Sequence, residues 1–227
     1  MEGLWMEHNS KLRVTINAAM TVDGKIATTC GNSRISSRRD LIRVHELRSS
    51  VDAIMVGIST VLIDNPLLTV RLIKPKKGKN PARIIIDSDG RIPLDSRILK
   101  TAHRIATIVV VSERAHDDKI DKLRSTGAMV IIAGRETVDL REALLCLKKM
   151  GFKNILAEGG GELNWSLLDL GIVDQLIVTV SPKLVGGRSA TTLVEGAGYE
   201  KISQAINMKL KKVRRQNNGE LVLFYEL

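Results

Sequence analysis

The sequence predicts one α/β domain: a mostly parallel central sheet flanked by helices, closed by a C-terminal antiparallel hairpin. Three observations carry this. Short apolar runs alternate with amphipathic stretches over most of the length, as in chains where each strand is followed by a crossover helix. AIMVG at 53–57 and IATIVVVS at 105–112 are almost continuously apolar, the mark of strands buried on both faces. Near the end, Asn218-Gly219 separates two strand-like stretches, 206–214 and 221–227, and Asn-Gly is a strong hairpin-turn signal.

At 227 residues the chain is read as a single domain, with residues 1–12 as an N-terminal extension. A chain of this length buries roughly 70–75% of its unfolded surface and needs no disulfide or metal to hold together. Cys30 and Cys146 show no metal or redox spacing, and Cys146, inside an apolar helical pattern, is expected to be a buried free thiol. A reducing, cytoplasmic setting fits. MEGLWMEHNS carries Glu2 and Glu7 without an apolar centre, so it does not read as a signal peptide. No apolar run reaches the length of a membrane span. The net charge of +10 raises RNA or a nucleotide as a partner. The basic residues are dispersed, however, and only two each of Phe, Tyr and Trp are available for base stacking. A phosphorylated substrate and cofactor account for the charge at least as well.

In chain order, RVTINAAM (13–20) suits a first strand that runs into the Asp23-Gly24 turn and Lys25. After a polar loop, Ser36 or Ser37 can cap a helix reaching about Ser50, with Leu41, Val44 and Leu47 near one face. The strand 53–57 is followed directly by a short helix that Asn65-Pro66 ends. KPKKGK (74–79) reads as a surface loop. ARIIIDSDGR (82–91) is a buried strand and a polar turn, and a helix near 117–125 and a strand at 128–133 follow the strand at 105–112. Asp139 with Glu142 forms a capping box for a helix whose apolar face is Leu140, Ala143, Leu144 and Leu147. Then come the stretch 154–171, a long strand at 174–187, and the hairpin, whose LVLFY is expected near an exposed sheet edge.

The stretch NILAEGGGELNWSLLDLG (154–171) organises the rest. A short buried strand ends on Glu158, then Gly159, Gly160 and Gly161 lead into a helix carrying Leu163, Leu167 and Leu168, with Trp165 read as core. Unpaired N–H groups at a helix start, beside residues without a Cβ, make an anion site. It is not G-x-G-x-x-G, because Asn164 holds the sixth position. In parallel sheets ligands sit where strands end, so the junctions at Gly57, Asp87 and Glu158 are expected to converge on one cleft. Taken alone, Thr60 would back-bond in a short helix, Asp64 would form a turn, and Arg71 and Lys25 would be solvated. His45 reads as a surface or packing histidine, and no spacing suggests a metal.

MTVDGKIA (20–27), GISTVLIDNPLLTVR (57–71), RIIIDSDGRIP (83–93), LAEGGGELNWSLL (156–168) and GIVDQLIVTVSPKLVGG (171–187) together resemble the riboflavin-biosynthesis reductases. Five co-linear motifs over residues 13–225 are far more specific than any one of them. The stand-alone archaeal and fungal type is the nearest match; bacterial relatives carry a zinc deaminase domain in front, and no H-x-E…C-x-x-C occurs here. The resemblance implies the dihydrofolate-reductase-like fold. It also implies NADPH-dependent reduction, with NADH tolerated, of a ribosylamino-pyrimidine 5′-phosphate to its ribitylamino product. It further implies a homodimer that needs no metal, nucleic acid or membrane. The alternatives are reduction of a pterin or related heterocycle, and a basic RNA- or nucleotide-binding domain.

Position by position, the resemblance puts Thr60, Asp64, Ser88, Asp89, Gly90, Arg91, Gly159, Gly160, Gly161 and Glu162 on the cofactor. It puts Ser33, Arg34, Arg48 and Arg71 on the substrate and its phosphate. Glu158 and Lys25 fall at the reaction centre, with Lys25 as the cation opposite Glu158. Loss of water at a buried strand end suits a carboxylate to proton chemistry. Asp87 ends its strand as a ribose-binding acid would, while Arg91 could meet a 2′-phosphate. One departure bears on how the pyrimidine is held: many bacterial relatives have a Trp in the loop before the first helix, where this chain has Arg34.

Overall fold

The computed structural model describes residues 11–76 and 78–227. The expected N-terminal extension therefore lies almost wholly outside the described residues, as does Lys77 of the 74–79 loop. The strands are β1 (Arg13–Thr21), β2 (Ala53–Gly57), β3 (Ala82–Ile86), β4 (Thr107–Val111), β5 (Met129–Ile132), β6 (Asn154–Ala157), β7 (Gln175–Ser181), β8 (Lys209–Arg215) and β9 (Leu221–Glu226). The helices are α1 (Arg38–Ser50), α2 (Ile58–Asp64), α3 (Asp117–Ser125), α4 (Leu140–Lys149) and α5 (Gly161–Asp169). All the strands form one sheet in the order β5-β4-β3-β2-β6-β1-β7-β9-β8. Strands β1 to β7 are mutually parallel, and β9 runs antiparallel to both β7 and β8. Among the described residues no helix is long and apolar enough to cross a membrane.

Alternate residues of each central strand serve opposite faces, and the core is accordingly double. On one face Val14, Ile16, Met55, Ile84 and Val110 meet Ala143 and Leu147 of α4 and Leu163 and Leu167 of α5. On the other, Ile54, Val56, Ile85, Val109 and Val111 meet Val61 of α2 and Ile120 and Leu123 of α3. Gly151, Gly171 and Gly127 follow the last turns of α4, α5 and α3 with positive φ, as helix stops do.

Helix α1 departs from its sequence pattern. Its buried residues are Asp40, His45 and Ser49, whereas Leu41 is 46% exposed. Polar side chains fasten it to the sheet. Asp40 accepts from Arg43 Nε at 2.7 Å and from Thr179 Oγ1 at 2.7 Å, and Arg43 Nη2 donates to Asn17 on β1. Ser37 caps the helix at Asp40 N and also donates, from N and Oγ, to the buried Glu220 before β9.

Four further expectations are corrected. Strand β9 is interior, paired on both sides, so the open edge is the basic KLKKVRR of β8. Asp139 caps α4 by accepting from Arg141 N and Glu142 N, but Glu142 accepts from Gly134 N, so the reciprocal half of the box goes to the preceding turn. Cys146 is only half-buried. So is Trp165, whose indole lies against Tyr199 with ring centroids 5.1 Å apart.

Within the apolar run of β3 sits Arg83, fully buried. Its guanidinium donates to Thr107 Oγ1 (2.6 and 3.1 Å), Thr101 Oγ1 (2.8 Å) and the carbonyls of Ile98, Ile105 and Leu67. Its acceptors are all uncharged, and desolvation pushes its pKa down to about 10. It joins the 98–105 segment and the loop after α2 to the sheet. Arg83→Met should therefore lower stability by about 2–3 kcal/mol or more, since several buried acceptors lose their donor at once. A urea midpoint within error of wild type would show that these bonds contribute no net stability.

Candidate active site

Because β1, β2 and β6 are parallel neighbours, their carboxyl ends open together. The first cleft, about 490 Å³, lies there between α1, α2 and the start of α5, lined by Asn17, Leu41, Val44, Thr60, Glu158 and Asn164 among others. Leu41 and Val44, which the sequence puts near one face of the helix, are its apolar wall. A polar pocket of about 570 Å³ adjoins it and shares Ser33, Arg48, Asp64 and Leu68; it brings together Arg34, Arg48, Arg71 and Arg97. On the other side a second cleft of about 920 Å³ runs past the ends of β2 and β3 to the 134–141 segment, and shares Gly57, Ser59, Glu162 and Leu163 with the first. The three strand ends thus give two adjoining clefts rather than one.

Glu158 stands one residue beyond β6, with its N–H bonded to Met55 O. Its carboxylate accepts from Arg48 Nε (2.7 Å) and Nη2 (2.6 Å) in a two-pronged pair, each side chain 11% exposed. Burial weakens the Arg48 charge, but the carboxylate outweighs this by charge and hydrogen bonding, and the arginine's pKa is raised. The cation opposite Glu158 is therefore Arg48. Lys25 Nζ donates instead to Ala190 O at 2.9 Å, and Lys25 bridges to Thr192, so it secures the turn after β1. A planar fork matches a carboxylate edge better than an ammonium does, and α1 delivers that fork from the face behind the cleft.

The glycine turn is built for backbone reasons that differ at each position. Gly159 has φ +86°, and the Gly159–Gly160 peptide is cis. Gly160 is the N-cap of α5 and provides no side-chain cap, so first-turn N–H groups remain for a ligand. Gly161 is not an approach point for phosphate: a Cβ there would lie 2.7 Å from Thr192 O and 2.6 Å from Glu195 Cγ. Its role is close packing. Asn164, fully buried behind the turn, donates to Leu193 O, and its Oδ1 has no partner among the described residues.

The arginine pocket is held from α1 as well. Residues 67–76 form no regular structure, and side chains of α1 cap their backbone. Arg48 Nη1 donates to Thr69 O at 3.1 Å, Arg71 N donates to His45 Nδ1 at 3.0 Å, and Lys76 N donates to Ser49 Oγ at 2.6 Å. His45 is buried, and its pKa is lowered to about 4, first by desolvation and then by the charges of Arg48 and Arg71. Ser33 donates to both oxygens of Asp64 (3.2 and 3.1 Å), so a residue expected on the substrate and one expected on the cofactor meet at the pocket rim. Burial raises the Asp64 pKa, partly offset by that hydroxyl.

In the second cleft, Ser88, Arg91 and Glu162 line the wall with Arg135 and Arg141. Asp89 turns towards Arg91 and Arg114 instead (4.0 and 3.6 Å), and Gly90 is buried against α3. Asp87 is fully buried; its Oδ2 accepts from Ile92 N at 2.8 Å, and desolvation raises its pKa. It closes the 88–92 turn and does not face a ligand. Sequence reasoning missed Asn17, Arg43, Arg97, Arg135 and Asn164. Of these only Asn17, a lone amide in an apolar strand, carried a signal.

Two adjoining sites at the carboxyl edge of a parallel sheet, one ringed by arginines and one starting at a glycine-capped helix, define an α/β ligand-binding protein with two anion-friendly sites. A family model described as the RibD C-terminal domain matches residues 13–222, and the chain belongs to this family. It is 47% identical over 199 residues to a 2,5-diamino-6-ribosylamino-4(3H)-pyrimidinone 5′-phosphate reductase of Methanothermobacter thermautotrophicus, covering 88% of this chain and 91% of the relative. A protein of the same name from Aquifex aeolicus is 37% identical, with 87% and 89% covered. Acinetobacter baumannii RibD superposes with a TM-score of 0.81 at 26% identity, over 96% of this chain and 58% of its own. The fold is the dihydrofolate-reductase-like one of these reductase domains.

The His45 contact makes stability depend on pH. The folded imidazole titrates near 4 and the unfolded one near its ordinary 6.5. Between those values the unfolded chain binds more protons, so stability present above pH 6.5 is lost as pH falls towards 4. His45→Asn keeps an acceptor for Arg71 N without a titrating ring, and its melting temperature should fall less than that of wild type across this window. Parallel curves would remove His45 as the cause.

Proposed function

We propose that the protein reduces 2,5-diamino-6-ribosylamino-4(3H)-pyrimidinone 5′-phosphate to its ribitylamino product in riboflavin biosynthesis, in the cytoplasm, with NADPH as the cofactor. The observation that carries this reading is the Glu158 carboxylate, gripped by Arg48 between an arginine-lined pocket and a glycine-capped helix start. The name of the relative at 47% identity supports it.

In this reading Arg71, Arg34 and Arg97 hold the substrate's 5′-phosphate, and Arg48 adds to their field while its guanidinium stays on Glu158. The second cleft suits a dinucleotide. Its volume is ample, it shares Glu162 and Leu163 of the first turn of α5 with the first cleft, and Arg91 and Arg135 are exposed near Ser88. With Asp87 fully buried, the acid that directly follows β3 is withdrawn from a ribose 2′-hydroxyl, which supports NADPH over NADH. Thr60, Asp64 and Glu162 lie on the walls between the clefts, and Lys25 acts by fixing the turn after β1.

When bound, the nicotinamide supplies a hydride. The ribosylamine ring must open first: the amine nitrogen releases its proton, the ring oxygen takes one up, and a C1′=N imine forms. Glu158 is the group placed to accept the proton from nitrogen and to stabilise the protonated imine that takes hydride at C1′. That proton returns to the imine nitrogen before the transfer, so that hydride addition to the iminium leaves C1′ as a methylene on a neutral amine. The apolar wall of Leu41, Val44 and Ile63 excludes water from this end.

A homodimer belongs to the same reading. Leu184, Ile202, Leu210 and Val213 are 77%, 93%, 50% and 48% exposed, more apolar surface than a free segment usually carries. The lysines and arginines of β8 oppose simple edge-to-edge pairing, so the contact would use side-chain faces. Light scattering should give twice the chain mass at micromolar concentration; a monomer there would remove this part.

The test of the chemistry is direct. NADPH binding is titrated by fluorescence, and turnover is followed on adding the precursor. Glu158→Gln should leave the NADPH Kd within about twofold and lower kcat by roughly 10²–10⁴, the usual weight of acid–base catalysis. Near-wild-type turnover in that variant would reduce Glu158 to a structural partner of Arg48.

A further inference from the structure

Asn17 is 5% exposed, lies on β1, and lines the first cleft. Its Oδ1 accepts from Arg43 Nη2 at 2.9 Å. That guanidinium is itself immobilised: Nε donates to Asp40 Oδ1 at 2.7 Å and Nη2 also to Thr179 Oγ1 at 3.1 Å, while Thr179 Oγ1 donates to Asp40 at 2.7 Å. A guanidinium has only donors, so the amide atom that faces it must be the oxygen. The orientation of Asn17 is thus set by chemistry. Its Nδ2 group makes no hydrogen bond among the described residues and is left as a donor on the cleft side.

What stands next to this donor gives it meaning. Ile16 and Ala157 are the last paired residues of β1 and β6. Asn17 and Glu158 follow them side by side on neighbouring parallel strands, which run about 4.8 Å apart. Helix α1 steadies both from behind, Asn17 through Arg43 and Glu158 through Arg48. The cleft therefore presents an N–H donor beside a carboxylate acceptor, both rigid. The complementary ligand edge is an oxygen acceptor beside an N–H donor.

We propose that Asn17 reads the ring carbonyl of the substrate's aminopyrimidinone, with Nδ2 donating to the carbonyl oxygen while Glu158 meets the neighbouring amino groups. This rests on the functional reading above and adds a specificity-determining contact to it. It also answers how the heterocycle is recognised where Arg34 replaces an aromatic ring: by a fixed donor–acceptor pair on the sheet. Asp40, Arg43 and Thr179 are positioning residues that hold the amide in register.

The test uses the precursor and two free bases as competitive inhibitors, triaminopyrimidinone and tetraaminopyrimidine, which differ by an oxygen acceptor against an amino donor at one ring position. Wild type should prefer the carbonyl base by about 10- to 100-fold, the effect of one buried hydrogen bond left unmade. Asn17→Asp keeps the acceptor for Arg43 but replaces the donor, so its preference should shrink or invert, with KM for the precursor raised and the NADPH Kd within about twofold. Asn17→Ala should lose the preference without inverting it. An unchanged preference in both variants overturns the proposal, as does a loss confined to kcat. A joint loss of NADPH binding and melting temperature in both variants also overturns it, making Asn17 structural. A rise in precursor KM in Asn17→Asp alone would trace to charge repulsion against Glu158 and likewise overturn it. If wild type turns over no precursor at all, the functional reading fails first, and that result is distinct from each of these.

Discussion

The two-pronged bond between Arg48 and Glu158 ties together everything on the carboxyl side of the sheet. Its members come from different layers, Arg48 from the last turn of α1 and Glu158 from the end of β6. Burying such a pair yields little net stability, because desolvating two charges costs about what their attraction returns. What it yields is position. Arg48 also holds Thr69 O, so the strap that carries Arg71 is referenced to the same guanidinium as the carboxylate. A shift of α1 would move Arg71 and Glu158 together.

Helix α1 can serve in this way because it inverts the usual arrangement. It fastens to the sheet through Asp40 and Arg43 and to the 67–76 segment through His45 and Ser49, and leaves Leu41 and Val44 on the cleft. Hydrogen bonds are directional where apolar contacts are not, so a helix docked by them has one register on the sheet. The leucine and valine it withholds from the core are then available to dry a ligand site. The sheet order cooperates: β6 is inserted between β2 and β1, which brings the glycine turn, the end of β2 and Asn17 to adjacent positions although they are far apart in sequence.

Periodicity made the elements legible. The apolar faces of α4 and α5, the continuous runs of β2 and β4, and the Asn218-Gly219 hairpin are where the pattern put them, because there burial follows hydropathy. The pattern misled where polar groups are buried in mutual satisfaction. His45 read as a surface or packing residue and Asp40 and Arg83 drew no separate reading, yet each is at most 2% exposed, because its partners come from distant segments such as Thr179, Arg71 and Thr107. The resemblance, rather than the pattern, put Lys25 opposite Glu158, where Arg48 stands in the fold. Both are near strand ends in the sequence, but only the fold shows that α1 lies behind the carboxylate. The edge strand was misjudged for a topological reason: in a hairpin either arm can face outward, and here the apolar arm, β9, pairs with β7 while the basic arm is left at the edge.

The excess of positive charge takes on a different sense once it is located. Part of it lies along β8, where seven exposed residues, five of them Lys or Arg, protect an unpaired strand edge from casual pairing. Another part is gathered at Arg34, Arg48, Arg71 and Arg97 in one pocket and at Arg91, Arg135 and Arg141 in the neighbouring cleft. Burial lowers the Arg71 pKa, and the charges of Arg48 and Arg97 add to this, the sign of like charges crowded without a sufficient counter-ion. Such crowding is unfavourable in the free protein, and an anion in the pocket would relieve it. Glu158, engaged on both oxygens by Arg48, offsets this at Arg71 only in part.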